Sequence, residues 1–204
     1  MNLKSKLQNF WYYYKNYLLI ALILLVACAI AVNSCVNREK FDLNVLYVSY
    51  EYSDSFFQTD ELVELFDDYA PDINNDNKKT AQIITINYGT SFQESNSAGA
   101  QRSANLASGK AVLYLLDERN YQELKAGGFL ADISSLGKSE YLKEDAFLAY
   151  ESGILDEISG FKAIGKPYYL CLRTFDQHKA ESNVEFKEQY ESAKQTLVNI
   201  IEKY

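Results

Sequence analysis

Ala111-Val112-Leu113-Tyr114-Leu115-Leu116 is an unbroken apolar run. Without alternation, such a run describes a strand buried on both faces, which suits the centre of a parallel sheet. The segments on either side agree. Leu43 to Tyr50 is rich in β-formers and reads as a first strand. Leu62, Leu65, Phe66 and Tyr69 recur at helical spacing, and Pro71 closes that helix. Asp72 to Thr80 is a polar turn, and Gln82 to Tyr88 a second strand ended by Gly89. Ser97 to Ser108 is alanine-rich and reads as a helix ending on Gly109. Asp117 to Ala126 reads as a short helix stopped by Gly127-Gly128. Strands alternating with helices predict a three-layer α/β/α domain with a mostly parallel sheet.

Beyond residue 130 the pattern loosens. Tyr141 to Tyr150 reads as a short helix, and Tyr168 to Leu172 as an apolar strand after Pro167. Ser182-x-x-Glu185 has the form of a capping box. Phe186, Tyr190, Ala193, Leu197, Ile200 or Ile201, and Tyr204 then make one apolar stripe, expected to lie on the sheet.

Ahead of this domain stands a different kind of segment. Leu18 to Val32 is apolar throughout and contains ten Leu, Ile and Val residues. At a helix centre these favour membrane insertion by about 3 to 6 kcal/mol. Tyr17 to Val36 is long enough to cross a bilayer, with Trp11 to Tyr14 suited to the interface. Lys4, Lys6 and Lys15 precede the run, and no acidic residue occurs before Glu39. The positive-inside rule therefore keeps residues 1–16 cytoplasmic, makes 17–36 the anchor, and exports residues 37–204, of which 37–42 are a short spacer and 43–204 the domain. A second reading uses Leu25-Val26-Ala27-Cys28 as a lipoprotein cleavage site with Cys28 lipidated; Val32-Asn33-Ser34-Cys35 is a weaker version. Both place the domain outside the cytoplasmic membrane.

From residue 37 onward 17 basic residues face 28 acidic ones, a formal charge of −11. Such a domain repels nucleic acid, and DNA and RNA binding is dropped on that ground. Cys28 and Cys35 belong to the anchor region. Cys171 alone remains, which leaves the domain without an internal disulfide and reads as a small buried hydrophobe.

One family resemblance emerges from particular residues. Asn105-Leu106-Ala107-Ser108-Gly109, then Val112 to Asp117, then Tyr121, Leu124 and Gly128-Phe129-Leu130-Ala131-Asp132-Ile133 resemble a segment of bacterial extracellular solute-binding proteins. The resemblance covers about half the exported domain. It implies a periplasmic-binding-protein fold and service to an ABC importer. Two departures stand out: Lys110-Ala111 replaces the usual Pro-Asp pair, and the chain is long enough for one lobe where the family closes two over a solute. A solute on one lobe loses much of its burial. The expectation is one lobe of that fold in a non-enzymatic binding or accessory role beside a transporter. The alternatives are a lipid-anchored receptor for a small solute and a cell-envelope hydrolase using a carboxylate pair.

Ligands of open parallel sheets bind beyond the carboxyl ends of the strands. The expected rim is Ser49, Tyr50, Tyr88, Gly89, Thr90, Ser91, Asp117 and Glu118. Asp72, Asn74, Asp76, Lys78 and Thr80 have the alternation of a calcium loop. Asn77 replaces its glycine and Ile83 its bidentate glutamate, so any calcium binding would be weak; no other cofactor is expected. Asp67 and Asp68 read as the wet face of their helix. His178, the only histidine, has polar neighbours and reads as a solvated loop residue, and neither a Gly-x-Ser-x-Gly elbow nor a phosphate loop occurs.

Overall fold

The computed structural model describes residues 3–36, 40–50, 59–89, 91–158 and 161–204. It divides into two compact units, Met1–Lys40 and Phe41–Tyr204. The first is one helix, α1 (Leu3–Val36). Its window Trp11–Ile30 has a mean hydropathy of 1.8 and is not buried by protein. By length and composition it is apolar enough to be a membrane span or a signal sequence. Half of the expected spacer, residues 37–39, lies outside the described residues.

The second unit is a mixed α/β body around one five-stranded sheet. In chain order it contains β1 (Leu43–Ser49), α2 (Thr59–Tyr69), β2 (Ala81–Asn87), α3 (Phe92–Ser108), β3 (Leu113–Asp117), α4 (Glu118–Ala126), β4 (Phe147–Leu148), α5 (Phe161–Ile164), β5 (Tyr168–Leu172), α6 (Gln177–Ser182) and α7 (Val184–Lys203). The strand order is β2-β1-β3-β5-β4. β1 lies parallel to both β2 and β3; β5 lies antiparallel to β3 and to β4. β3, the apolar run of 111–116, is the central strand, and all five of its residues are buried.

Alternating residues feed two apolar clusters. Leu43, Val45, Tyr47, Leu113, Leu115, Leu170 and Leu172 join Leu62 and Phe66 of α2 with Phe186, Ala193, Leu197, Ile200 and Ile201 of α7. Leu46, Val48, Ile86, Tyr114, Leu116 and Cys171 join Ala98 and Leu106 of α3 with Tyr121 and Leu124 of α4. The period of two along each strand sends its residues alternately to the two clusters. Each large side chain fully buried there contributes about 1.5 to 3 kcal/mol. The α7 stripe is buried as its spacing predicts.

Three local expectations are corrected. Tyr141 to Tyr150 is no helix: it is a turn whose Leu142 bridges to Phe147, followed by the two-residue β4. Ser182 does not cap the last helix. It ends α6, and Asn183 is the N-cap of α7, accepting from the Phe186 N–H at 3.2 Å. Asn183 directly precedes the helix, so its side-chain oxygen reaches the third amide. Asp67 is not on the wet face: its carboxylate accepts the Ala81 N–H at 2.5 Å, and burial raises its pKa.

The amino end of the sheet is closed by side chains. Asp42, fully buried, accepts the N–H groups of Ile73, Asn74 and Thr80 and the Thr80 hydroxyl, at 2.9 to 3.3 Å. Gln189 of α7 donates to the carbonyls of Phe41 and Asp42 and accepts the Asn44 N–H at 2.8 Å.

Candidate binding site at the carboxyl ends of the parallel strands

β1, β2 and β3 end side by side, which brings Tyr50, Tyr88 and Asp117 together. Asp117 is the N-cap of α4 and is buried. One carboxylate oxygen accepts the Asn120 N–H at 2.8 Å and the Asn120 side-chain amide at 2.9 Å. The other accepts the Tyr50 N–H at 2.5 Å. One short side chain thus ties the end of β1 to the first turn of α4.

The Tyr50 and Tyr88 rings stack with centroids 3.9 Å apart and planes 20° from parallel. The Arg119 guanidinium lies 4.0 Å from the Tyr50 ring centroid, and Arg102 lies 5.6 Å from that of Tyr88. Glu123 joins the two arginines, at 2.7 Å from Arg102 and 3.2 Å from Arg119. Arg102 also donates to the side-chain amide oxygen of Asn120 at 2.6 Å. The arrangement is a ladder of cation, ring, ring and cation, closed by one carboxylate. A guanidinium over a ring gains about 0.5 to 1 kcal/mol when exposed and more when desolvated. Burial pushes Glu123 up, and the two guanidiniums outweigh it, holding the carboxyl below its ordinary range. Burial pushes the Tyr88 phenol up to about 12, against the opposing charge of Arg102.

α4 carries a second stack on its other side. Tyr121 and Tyr169 lie 4.2 Å apart and 8° from parallel. Tyr121 donates to Asp145 at 2.7 Å, and Lys125 pairs with Asp145 at 2.9 Å. Tyr169 donates to Glu118, which also accepts from Gln122 at 2.8 Å.

Of the expected rim, Tyr50, Tyr88 and Asp117 therefore meet at the start of α4, while Glu118 joins the Tyr121–Tyr169 stack through Tyr169. Ser49 points elsewhere. It is buried with its hydroxyl 3.0 Å from that of Tyr168, which in turn lies 3.3 Å from the Tyr47 hydroxyl. Ser91 is the N-cap of α3 in a reciprocal box with Glu94, and the Gly89 carbonyl accepts from Ser95 at 3.0 Å. Thr90 lies outside the described residues. Arg102, Arg119, Asn120 and Glu123 complete the site without having been singled out in the sequence. They sit on helices, and their one local signal is the four-residue spacing of Arg119 and Glu123.

The stretch from Asp72 to Thr80 is a chain of side-chain-closed turns. Asp72, Asn74 and Asp76 accept the N–H groups of Asn77, Asp76 and Lys78 at 2.8 to 2.9 Å. Thr80 donates to Asp42. Asn75 and Asn77 take left-handed φ of 58° and 63°, which asparagine tolerates. Among the described residues no group of three or more His, Cys, Asp or Glu side chains is placed to hold a metal ion. His178 is exposed in α6, and Cys28 has a free, exposed thiol on α1.

No protein-family model, curated protein or solved structure matches this chain.

Proposed function

We propose that this is a membrane-anchored, extracytoplasmic binding or accessory protein without catalytic activity, working beside an ABC-type transporter. In this reading α1 is a signal anchor with its amino end in the cytoplasm. Residues 41–204 form a three-layer α/β/α lobe like one half of a solute-binding protein. The resemblance of residues 101–136 to that family supports the lobe and the transporter link. The observation that carries the docking role is the Arg119 guanidinium, 4.0 Å from the Tyr50 ring centroid at one end of the Tyr50–Tyr88 stack, with its side chain 65% exposed. Glu123 holds Nε of Arg119, and among the described residues no hydrogen bond engages the terminal nitrogens. That leaves two donors in a fixed fork, the geometry that recognises a carboxylate. The partner is thus a protein surface or peptide presenting an acidic side chain, or a carboxylate-bearing solute brought to the transporter. A shared membrane raises the local concentration of such a partner.

The test is mild crosslinking in native membranes, purification of the full chain and mass spectrometry of what accompanies it. Recovery of a transporter permease in constant proportion, abolished by Arg119→Ala, supports the reading. Recovery of the chain alone, with no thermal stabilisation by carboxylate solutes, overturns it.

A further inference from the structure

The sheet has two unlike edges. One is β4, two residues long. The other is β2, seven residues reading Ala81-Gln82-Ile83-Ile84-Thr85-Ile86-Asn87. Natural edge strands are usually blunted by charge, proline, a bulge or brevity. β2 has no charge and no proline, and its seven residues pair in continuous register with β1.

Its hydrogen-bond polarity follows from its ends. Leu43 N–H donates to the Thr80 carbonyl and Tyr88 N–H to the Ser49 carbonyl, so the even-numbered residues of this strand turn their backbone groups toward β1. The odd-numbered ones turn theirs outward. Asp67 satisfies the Ala81 N–H. Among the described residues nothing pairs with the outward N–H and C=O groups of Ile83, Thr85 and Asn87. Residues 82–85 are half-buried, Ile83 against one apolar cluster and Ile84 against the other.

We propose that β2 pairs antiparallel with β2 of a second copy of this chain. A twofold axis at Ile84 sets Ile83 opposite Thr85 and Ala81 opposite Asn87. Those are the outward-facing residues, so every new backbone bond except the one from the Ala81 N–H, which Asp67 already holds, joins groups that lack a partner among the described residues. Ile84 meets its own copy in the close, non-hydrogen-bonded position, with Cα atoms about 4.5 Å apart. The same axis carries exposed Lys78 and Lys79 of one copy toward the end of β2 that leads to exposed Glu94 of the other, a complementary pairing at both ends. A closed symmetric pair removes the edge from both sheets.

The test uses the full chain in detergent micelles, with Cys28 and Cys35 replaced by serine. Three results are expected. Ile84→Cys forms a disulfide-linked dimer on mild oxidation, while Ser134→Cys on an exposed turn does not. Sedimentation shows a dimer whose dissociation constant falls as salt is raised, because each acidic domain repels the other. Thr85→Pro removes one outward N–H while sparing the ladder to β1, and weakens the dimer at least tenfold with helical circular dichroism retained. Thr85→Lys, which leaves the backbone unconstrained, does the same. A chain that stays monomeric at about 100 µM, a dimer insensitive to both Thr85 variants, or β2 capturing only foreign extended peptides overturns the proposal.

Discussion

Asp42 and Asp117 are both buried, sit at opposite ends of the sheet, and both fold the chain by accepting backbone N–H groups. Asp42 has four donors, all from the loop between α2 and β2 or its last residue. Its end of the sheet is finished: every oxygen is spoken for by the loop it closes. Asp117 has three donors, from β1 and α4, and above it stand two rings and two guanidiniums, one of them open. The same buried carboxylate device seals one end and furnishes the other. The difference lies in what the surrounding helices bring: α4 starts at the carboxyl end with Arg119 and Glu123 facing the strand termini.

That comparison can be broken by mutation. Asp42→Ala leaves four donors unsatisfied at about 1 to 3 kcal/mol per buried group, partly relieved by water, so a loss of about 3 to 5 kcal/mol is expected. Asp117→Ala removes three bonds and a helix cap, with an expected loss of about 2 to 4 kcal/mol. Thermal and urea denaturation of the two variants should rank them in that order, and the reverse order would mean that Asp117 holds the fold more firmly than its partners suggest. Leu197→Ala, in the core on the α7 side, is expected to cost about 2 to 5 kcal/mol whichever end is intact. Arg119→Ala should change stability by less than about 1 kcal/mol while abolishing partner recovery, separating docking from folding.

The smallest effect is a pH dependence. Glu123 has a depressed carboxyl, so its contribution is present above the ordinary glutamate range and lost as pH falls through the lowered value. Its partly exposed ion pairs limit this to a few tenths of a kcal/mol. Glu123→Gln should therefore be slightly less stable than the parent at pH 7, with the gap closing as pH falls through the lowered value. A gap that does not narrow with acid would assign the difference to packing.

The parallel half of the sheet is legible because its signals are local. β3 is apolar without interruption, Gly109 ends α3 with φ of 66°, and Pro71 follows α2. In the antiparallel half only β5, Tyr168–Leu172, is legible, since Leu142, Phe147, Ile154, Leu155 and Ile158 are packed against the core by turns and bridges that follow no fixed period. The break between α6 and α7 rests on one residue, Asn183, taking an extended conformation within a sequence that is polar on both sides. Half of the candidate site was visible because strand ends can be counted. Arg102 was hidden because its partners Asn120 and Glu123 lie 18 and 21 residues away. Asp42 was hidden for the same reason, its donors being 31 to 38 residues downstream.

The clasp of Gln189 on Phe41, Asp42 and Asn44 also sets an order of events during synthesis. Asn44 and Gln189 are separated by 145 positions. At a translation rate of about 5 to 20 residues per second, β1 waits roughly 7 to 30 s before the helix that clasps its start exists. Through that interval the strand nearest α1 in the sequence has been made but cannot be finished, and an apolar strand is exposed to whatever else is nearby. The protein is therefore most vulnerable as a nascent chain, and a chaperone that holds Leu43 to Ser49 until the last helix emerges would matter more to its yield than any gain in the stability of the finished fold.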